Sequence, residues 1–225
     1  MSMFLHREIE LLQHKMLDLG GCVEDAVRRA IHALETHDTA LARRVEEEDA
    51  ALDADEVALE EECLKVLALH QPVAMDLRVI VSILKINNDL ERIGDFAVAI
   101  ARCARPAGQA GDPPWPEQLP ALTSHAMRMV SGVLDAFVRL DGRAARVVCL
   151  GEEEFKSAFN ALRGGVSQTL RETREAGVVD AALDHLAVGR SLQRICGHAV
   201  NIAEDVIYML EGVVVRHKHQ AIQQP

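Results

Sequence analysis

The sequence repeats itself. Sliding the chain along itself by about a hundred positions lays QRICGHAVNIA, from Gln193 to Ala203, over ERIGDFAVAIA, from Glu91 to Ala101. A second stretch agrees at nearly the same offset, since LETHDTALARRV from Leu34 falls on FVRLDGRAARVV from Phe137. Between the halves lies PAGQAGDPPWPEQLP, Pro106 to Pro120, where proline and glycine forbid a continuous helix. The chain is therefore expected to fold as two versions of one unit: residues 1–105 as the first repeat, 106–116 as a linker and 117–225 as the second.

Each unit reads as three helices. Aromatic residues make up only 3% of the 225 residues and apolar residues 49%, with long runs of Ala, Leu, Glu and Arg between sparse glycines and prolines. That composition favours helices over strands. The expected fold is all-α, a tandem pair of three-helix bundles with helices at about 4–37, 39–69 and 72–105, then 117–140, 142–176 and 179–217. Asp38 and Asp141 stand where one helix gives way to the next and are read as caps, and Pro72 suits the first turn of the third helix. In that helix Ile83, Ile86, Leu90, Ile93, Ala97 and Ile100 alternate three and four apart, the spacing of a buried seam.

The formal net charge of -11 argues against a nucleic-acid partner, because affinity for a phosphate backbone comes mainly from clustered Lys and Arg. Cations and basic protein surfaces fit better. Cys22, Cys63, Cys103, Cys149 and Cys196 are odd in number and scattered, so they are read as small buried residues in a reducing cytosol and not as a disulfide or thiolate framework. The start, MSMFLHREIE, becomes charged too soon for a signal peptide. The greasiest stretches, VIVSILKI and VIYMLEGVVV, fall short of the roughly 20 apolar residues of a membrane span. A cytoplasmic protein that reaches membranes only through partners is expected.

The residues that need explaining lie off the seam. Glu46, Asp49, Asp53, Glu56 and Glu60 are spaced 3, 4, 3 and 4, which makes one acidic stripe along the second helix. Like charges at this spacing each cost an isolated helix roughly 0.2–0.5 kcal/mol, so something positive is expected nearby. Asn88, Glu91 and Asp95 repeat the spacing on the third helix, opposite the seam. If the two helices run antiparallel, Asp49 and Asp53 face Glu91 and Asp95 in one patch of four carboxylates. Oxygen ligands of this kind suit iron, manganese, magnesium or calcium better than a thiolate-loving metal. A solvated acidic face on an acidic protein accounts for the same spacing. None of the ten histidines follows a Glu by three residues, which removes a buried ferritin-like di-iron site.

QPVAMDLRVIVSILKINNDLERIGDFAVAIAR, from Gln71 to Arg102, resembles the signature region of the PhoU family, as does LLQHKMLDLGGCVEDAVRRAIHAL with the acidic EEEDAALDADE that follows. The resemblance covers both halves and includes the repeat. It implies a pair of three-helix bundles, each with an acidic motif of Glu or Asp, three residues, then Asp, that binds divalent or ferric ions. Iron is the first candidate, with manganese, magnesium or zinc behind it. In this chain Asp49 with Asp53 and Glu91 with Asp95 meet the motif. In the second half Glu152, Lys156, Gln193 and Gly197 stand at the corresponding positions, so three of four acids are missing and one competent site is expected. Asn201 and Glu204 continue that face, with His198 beside them.

The resemblance also implies a function: repression of the phosphate-starvation response when phosphate is plentiful, by linking the phosphate ABC transporter ATPase to a sensor histidine kinase. No covalent chemistry is required, and a homodimer is expected from the apolar seams. Two other classes remain open, a carboxylate-bridged metalloenzyme and a histidine phosphotransfer module. For the latter His198 is the best candidate, although it is read first as a hydrogen-bonded surface or interface residue; Phe96 stands at its counterpart in the first half. Arg78, Arg92 and Arg194 are able to hold phosphate but are expected to pair with the abundant acids. Trp115 is read as an anchor for the proline-rich joint.

Overall fold

A computed structural model describes residues 3–105 and 115–215. Six helices follow in chain order: α1 Met3–Thr36, α2 Thr39–His70, α3 Ala74–Ala101, α4 Leu119–Val138, α5 Gly142–Glu172 and α6 Ala176–Glu211. The repeat is visible first in its turns. Asp38 caps α2 by accepting from the Leu41 N–H at 2.9 Å, and Asp141 caps α5 by accepting from Arg143 N–H at 2.9 Å and Ala144 N–H at 3.1 Å. The N–H of each aspartate reaches back to the carbonyl five residues earlier, Ala33 and Ala136, at 2.9 Å. Just before them His37 and Leu140 take φ of 57° and 52°, the left-handed twist that turns one helix into its antiparallel neighbour.

Pro72 does not open the third helix. Gln71, at φ 44°, ends α2 by donating its N–H to Leu67 O, Val73 is extended, and α3 begins at Ala74. Proline disfavours a helical residue in front of it, so here it punctuates the turn. Three other boundaries shift, the ends of α3 and α5 inward and the start of α6 outward. α3 closes at Ala101 with tightened bonds from Cys103 N–H to Ile100 O and from Ala104 N–H to Ala101 O. The extended residues Thr173 and Glu175 bracket the α5–α6 turn, so α5 ends at Glu172 and α6 begins at Ala176. The expected linker falls outside the described residues except for Trp115 and Pro116. Trp115 packs on the core with its ring edge-on to His185, 5.4 Å between centroids.

Within the first repeat α1, α2 and α3 pack on one another, and α4, α5 and α6 do the same in the second. The repeats join through α3 on α6 and, more lightly, α1 on α4. Contacts along the first joint run Lys85 with Asp205, Asp89 with His198, and Arg105 with Asp184, so α3 and α6 are antiparallel. Phe96 and His198, repeat counterparts, meet with ring centroids 5.8 Å apart, which places an approximate two-fold axis between them. All six residues of the predicted seam are fully buried, in one apolar cluster that runs through both repeats.

Four cysteines are wholly or partly covered. Burial pushes the Cys63, Cys149 and Cys196 thiols up to about 12 and Cys103 up to about 11, which leaves them protonated and unreactive. Cys22 departs from the expectation and is exposed, because it lies beside, and not on, the buried Leu12, Met16, Leu19, Val23 stripe of α1.

Two kinds of helical glycine separate packing from propensity. A Cβ at Gly189 would lie 2.7 Å from Leu162 Cδ2 and 2.8 Å from Phe159 Cε2, whereas Gly164 and Gly165 on α5 have nothing within 4 Å. Gly189→Ala is expected to destabilise by about 1–3 kcal/mol through overpacking. Gly164→Ala is expected to stabilise by about 0.5–1 kcal/mol. Chemical denaturation of the two variants beside the parent checks both signs.

Candidate functional site: an acidic face on the first repeat

α2 and α3, joined by the tight turn at Gln71–Val73, lie side by side and antiparallel, and their off-seam faces bring the acidic stripes together. Asp49 is half-buried, and its pKa is raised by that burial, then by the charges of Asp53 and Asp95, against an opposing pull from Arg102. Glu91 is raised by burial, then by Asp95, with Asp53 and Glu56 adding to it and Arg92 opposing. The four carboxylates expected to converge do share one electrostatic patch. Glu56 belongs to it too, raised by burial and then by Glu60 and Asp53. Asn87, buried on α3, holds that glutamate by donating to its carbonyl at 2.9 Å and its Oε1 at 2.8 Å.

The chain supplies some of the positive charge itself. Arg92 Nη1 donates to Asp95 Oδ2 at 3.1 Å, its Nε lies 3.2 Å from Glu91 Oε2, and Arg102 Nε donates to Glu46 Oε2 at 2.9 Å. This balance is incomplete. Glu91 Oε2 is buried and, despite the nearby arginine, receives no hydrogen bond. Beside it Gly94 leaves a gap on α3 that a Cβ would close to 3.8 Å from Asp49 Oδ1. The donor set is all oxygen, which fits a hard cation. Among the described residues, no three His, Cys, Asp or Glu side chains converge tightly enough to hold a metal ion as they stand. Arg92, half exposed, occupies the space between Glu91 and Asp95.

The counterpart face of the second repeat looks different. Lys156 pairs with Glu152 at 3.2 Å and Glu153 at 2.9 Å, and Gln193 and Gly197 open onto a groove of about 1340 Å³ between α3, α5 and α6. His198 is an interface residue. Its Nδ1 lies 2.7 Å from Asp89 Oδ1, and Asn201 Nδ2 donates to the same oxygen at 3.1 Å. This clasp ties α6 to α3. Next to it Asp205, 3% exposed, accepts from Lys85 Nζ at 2.9 Å, and the same ammonium sits 5.3 Å from the Tyr208 ring centroid. Sequence reasoning missed Asp89, Lys85 and Asp205. The signal was present for Asp205, a carboxylate three residues after Ile202 and four before Met209 on an otherwise apolar face.

The comparisons decide the lineage. The PhoU domain model matches residues 16–104 and again 119–206, one match on each bundle. The chain belongs to the PhoU family. The accessory protein PhoU homolog of the phosphate-specific transport system in Pseudomonas aeruginosa is 38% identical over 96% of this chain and 89% of its own. The Escherichia coli accessory protein is 34% identical over 93% of this chain and 86% of its own. The crystal structure of PhoU from Pseudomonas aeruginosa superposes with a TM-score of 0.86 at 37% identity, covering 92% of this chain and 99% of that one. The Streptococcus pneumoniae phosphate transport system regulatory protein PhoU gives 0.83 at 25% identity, over 94% of this chain and 99% of its own. The likeness to these PhoU structures extends over both repeats and the joint between them.

The raised carboxylates have a stability consequence in the metal-free protein. A group whose folded-state pKa lies above its unfolded value binds more protons when folded, so stability falls as pH rises through that window. At neutral pH Asp49 is then a net liability. Asp49→Asn is expected to raise the melting temperature of chelator-treated protein by about 1–2 °C at pH 7, from like-charge contacts of a few tenths of a kcal/mol, and to change it less at pH 4. Thermal melts at the two pH values measure this.

Proposed function

We propose that this protein is a regulator of phosphate transport and of the phosphate-starvation response, working through binding surfaces and not through catalysis. The observation that carries the reading is the match across both repeats to proteins named as accessories of the phosphate-specific transport system, with most of each relative's length covered. In this reading it acts in the cytoplasm as a repressor when phosphate is plentiful, touching the transporter ATPase on one side and a sensor histidine kinase on the other. No helix of the described residues is long and apolar enough to cross a membrane, so contact with a membrane complex would run through protein partners. The seams that first pointed to a homodimer are buried. Self-association would instead use exposed apolar residues at the α2–α3 end, such as Leu69, Val73 and Met75.

A hard metal ion belongs to the same proposal. Asp49, Asp53, Glu91 and Asp95 would hold it, iron first, once Arg92 swings clear, and half-exposed Arg92 is free to do so. The ion's part is electrostatic: it neutralises a crowded acidic face and fixes α2 against α3. The buried Glu91 oxygen without a hydrogen bond and the space at Gly94 support this placement. His198, engaged with Asp89 across the repeat joint, is poorly placed for phosphotransfer.

The role is tested in the native host. Deleting the gene is expected to leave a phosphate-starvation reporter switched on in phosphate-rich medium, and an unchanged reporter would defeat the proposal. The metal is tested separately, by elemental analysis of the purified protein beside an Asp49→Ala, Asp53→Ala, Glu91→Ala, Asp95→Ala variant. The parent is expected to retain close to stoichiometric metal after dialysis and the variant essentially none.

A further inference from the structure

The second repeat has not merely lost the acidic face; basic residues stand at several of its positions, in a groove lined by five acids and five basic residues. With the offsets of the repeat, Asp49, Asp53, Glu60, Asn88, Glu91, Arg92 and Asp95 correspond to Glu152, Lys156, Arg163, Arg190, Gln193, Arg194 and Gly197. Five anionic positions and one cationic one become one anionic and four cationic. In a chain of net charge -11 such a reversal at one place requires a reason.

All seven of these second-repeat residues line the groove of about 1340 Å³ between α3, α5 and α6. The acids in the groove are engaged. Asp89 is held by His198 and Asn201, Asp205 by Lys85, Glu152 and Glu153 by Lys156, and Glu204 lies beside Cys149. The three arginines are not. Among the described residues, Arg163, Arg190 and Arg194 form no ion pair and no hydrogen bond, although Arg194 was expected to pair with one of the abundant acids. Arg190 and Arg194 are one turn apart on α6, and Arg163 comes from α5 where Leu162 packs beneath Gly189. Gln193 adds an amide donor between them.

We propose that this groove binds a phosphate-class oxyanion, either free or as the end of a small phosphorylated molecule. Planar guanidinium forks from two helices match the tetrahedral oxygens of such a group, each able to donate two parallel N–H bonds. The α3–α6 clasp of Asp89, His198 and Asn201 lines the same groove as the arginines. This site differs from the metal face in residues, repeat and charge balance. It stands whether or not the cation proposal does.

The test is isothermal titration of the full chain, in chelator so that no cation on the first repeat can mediate, with inorganic phosphate in one arm and ATP in another. One saturable site is expected, weakening as sodium chloride rises. Arg163→Gln, Arg190→Gln and Arg194→Gln are each expected to weaken it about tenfold, from the loss of one charge-assisted bond pair. The Asp49→Ala, Asp53→Ala, Glu91→Ala, Asp95→Ala variant is expected to bind as the parent does. Equal binding of both anions locates the phosphate group alone, and binding of ATP only extends the site along the groove. Absence of saturation by either anion, or unchanged affinity in the combined arginine variant with its helical circular dichroism intact, overturns the proposal. So does tight binding of a hexaglutamate peptide that neither anion displaces, since the groove would then be a docking surface for acidic protein segments.

Discussion

The structure depends on the antiparallel packing of α3 on α6. These helices are the third of each repeat, and each is buried on more than one side, since α3 also packs on α1 and α2 while α6 packs on α4 and α5. α3 and α6 are the helices that place a buried carboxylate, Asp205, under the exposed ammonium of Lys85, and a half-buried clasp, Asp89 with His198 and Asn201, where the two repeats meet. Apolar contact joins the bundles without specifying which register they adopt. Paired polar groups do specify it, because sliding by one turn would bury Asp205 without its ammonium, a penalty of about 1–3 kcal/mol or more.

The acidic face follows from the same arrangement. α3 presents its seam to α1 and α6, so its outer side is left to α2, and α2 has little apolar surface to offer there: five of its residues are fully buried against twelve on α3. What remains between the two helices is polar, crowded and only partly wet. Burial is the largest single cause of the raised carboxylates at Asp49, Glu56 and Glu91, with repulsion from neighbouring acids adding to it. That ordering matters for what relieves the strain. Solvated counter-ions screen repulsion between exposed charges, but a desolvated carboxylate needs a ligand that replaces lost water, either a donor group such as Asn87 on Glu56 or a bound cation.

Much of this was legible in the sequence because periodicity reports burial. The Ile83 to Ile100 seam, the aspartate caps and the repeat offset all survive, since each depends on local geometry that three or four neighbouring residues determine. That the acids of α2 and α3 share one electrostatic patch was legible for a related reason: a short turn forces two helices to be antiparallel neighbours. What did not show was pairing between distant helices. Nothing in the spacing around Asp89 announces His198, 109 residues away. Arg92 was expected beside an acid and found one, while Arg194, its counterpart, faces a groove whose acids are already engaged. Equivalent residues in a repeat share a backbone but not an electrostatic neighbourhood, and only the fold reveals the second.

Duplication makes such divergence inexpensive in stability. The core positions of the two repeats are constrained by one another through the α3–α6 joint, so substitutions there propagate into both bundles. The groove beside α5 and α6 meets the first repeat through α3, where Lys85 and Asp89 pair across the joint. The molecule is thereby able to carry an acidic face and a groove of mixed charge on one frame. Because α3 borders both, a ligand that shifts it on the acidic side also alters the wall of the groove, through a helix that packs too tightly to deform gradually.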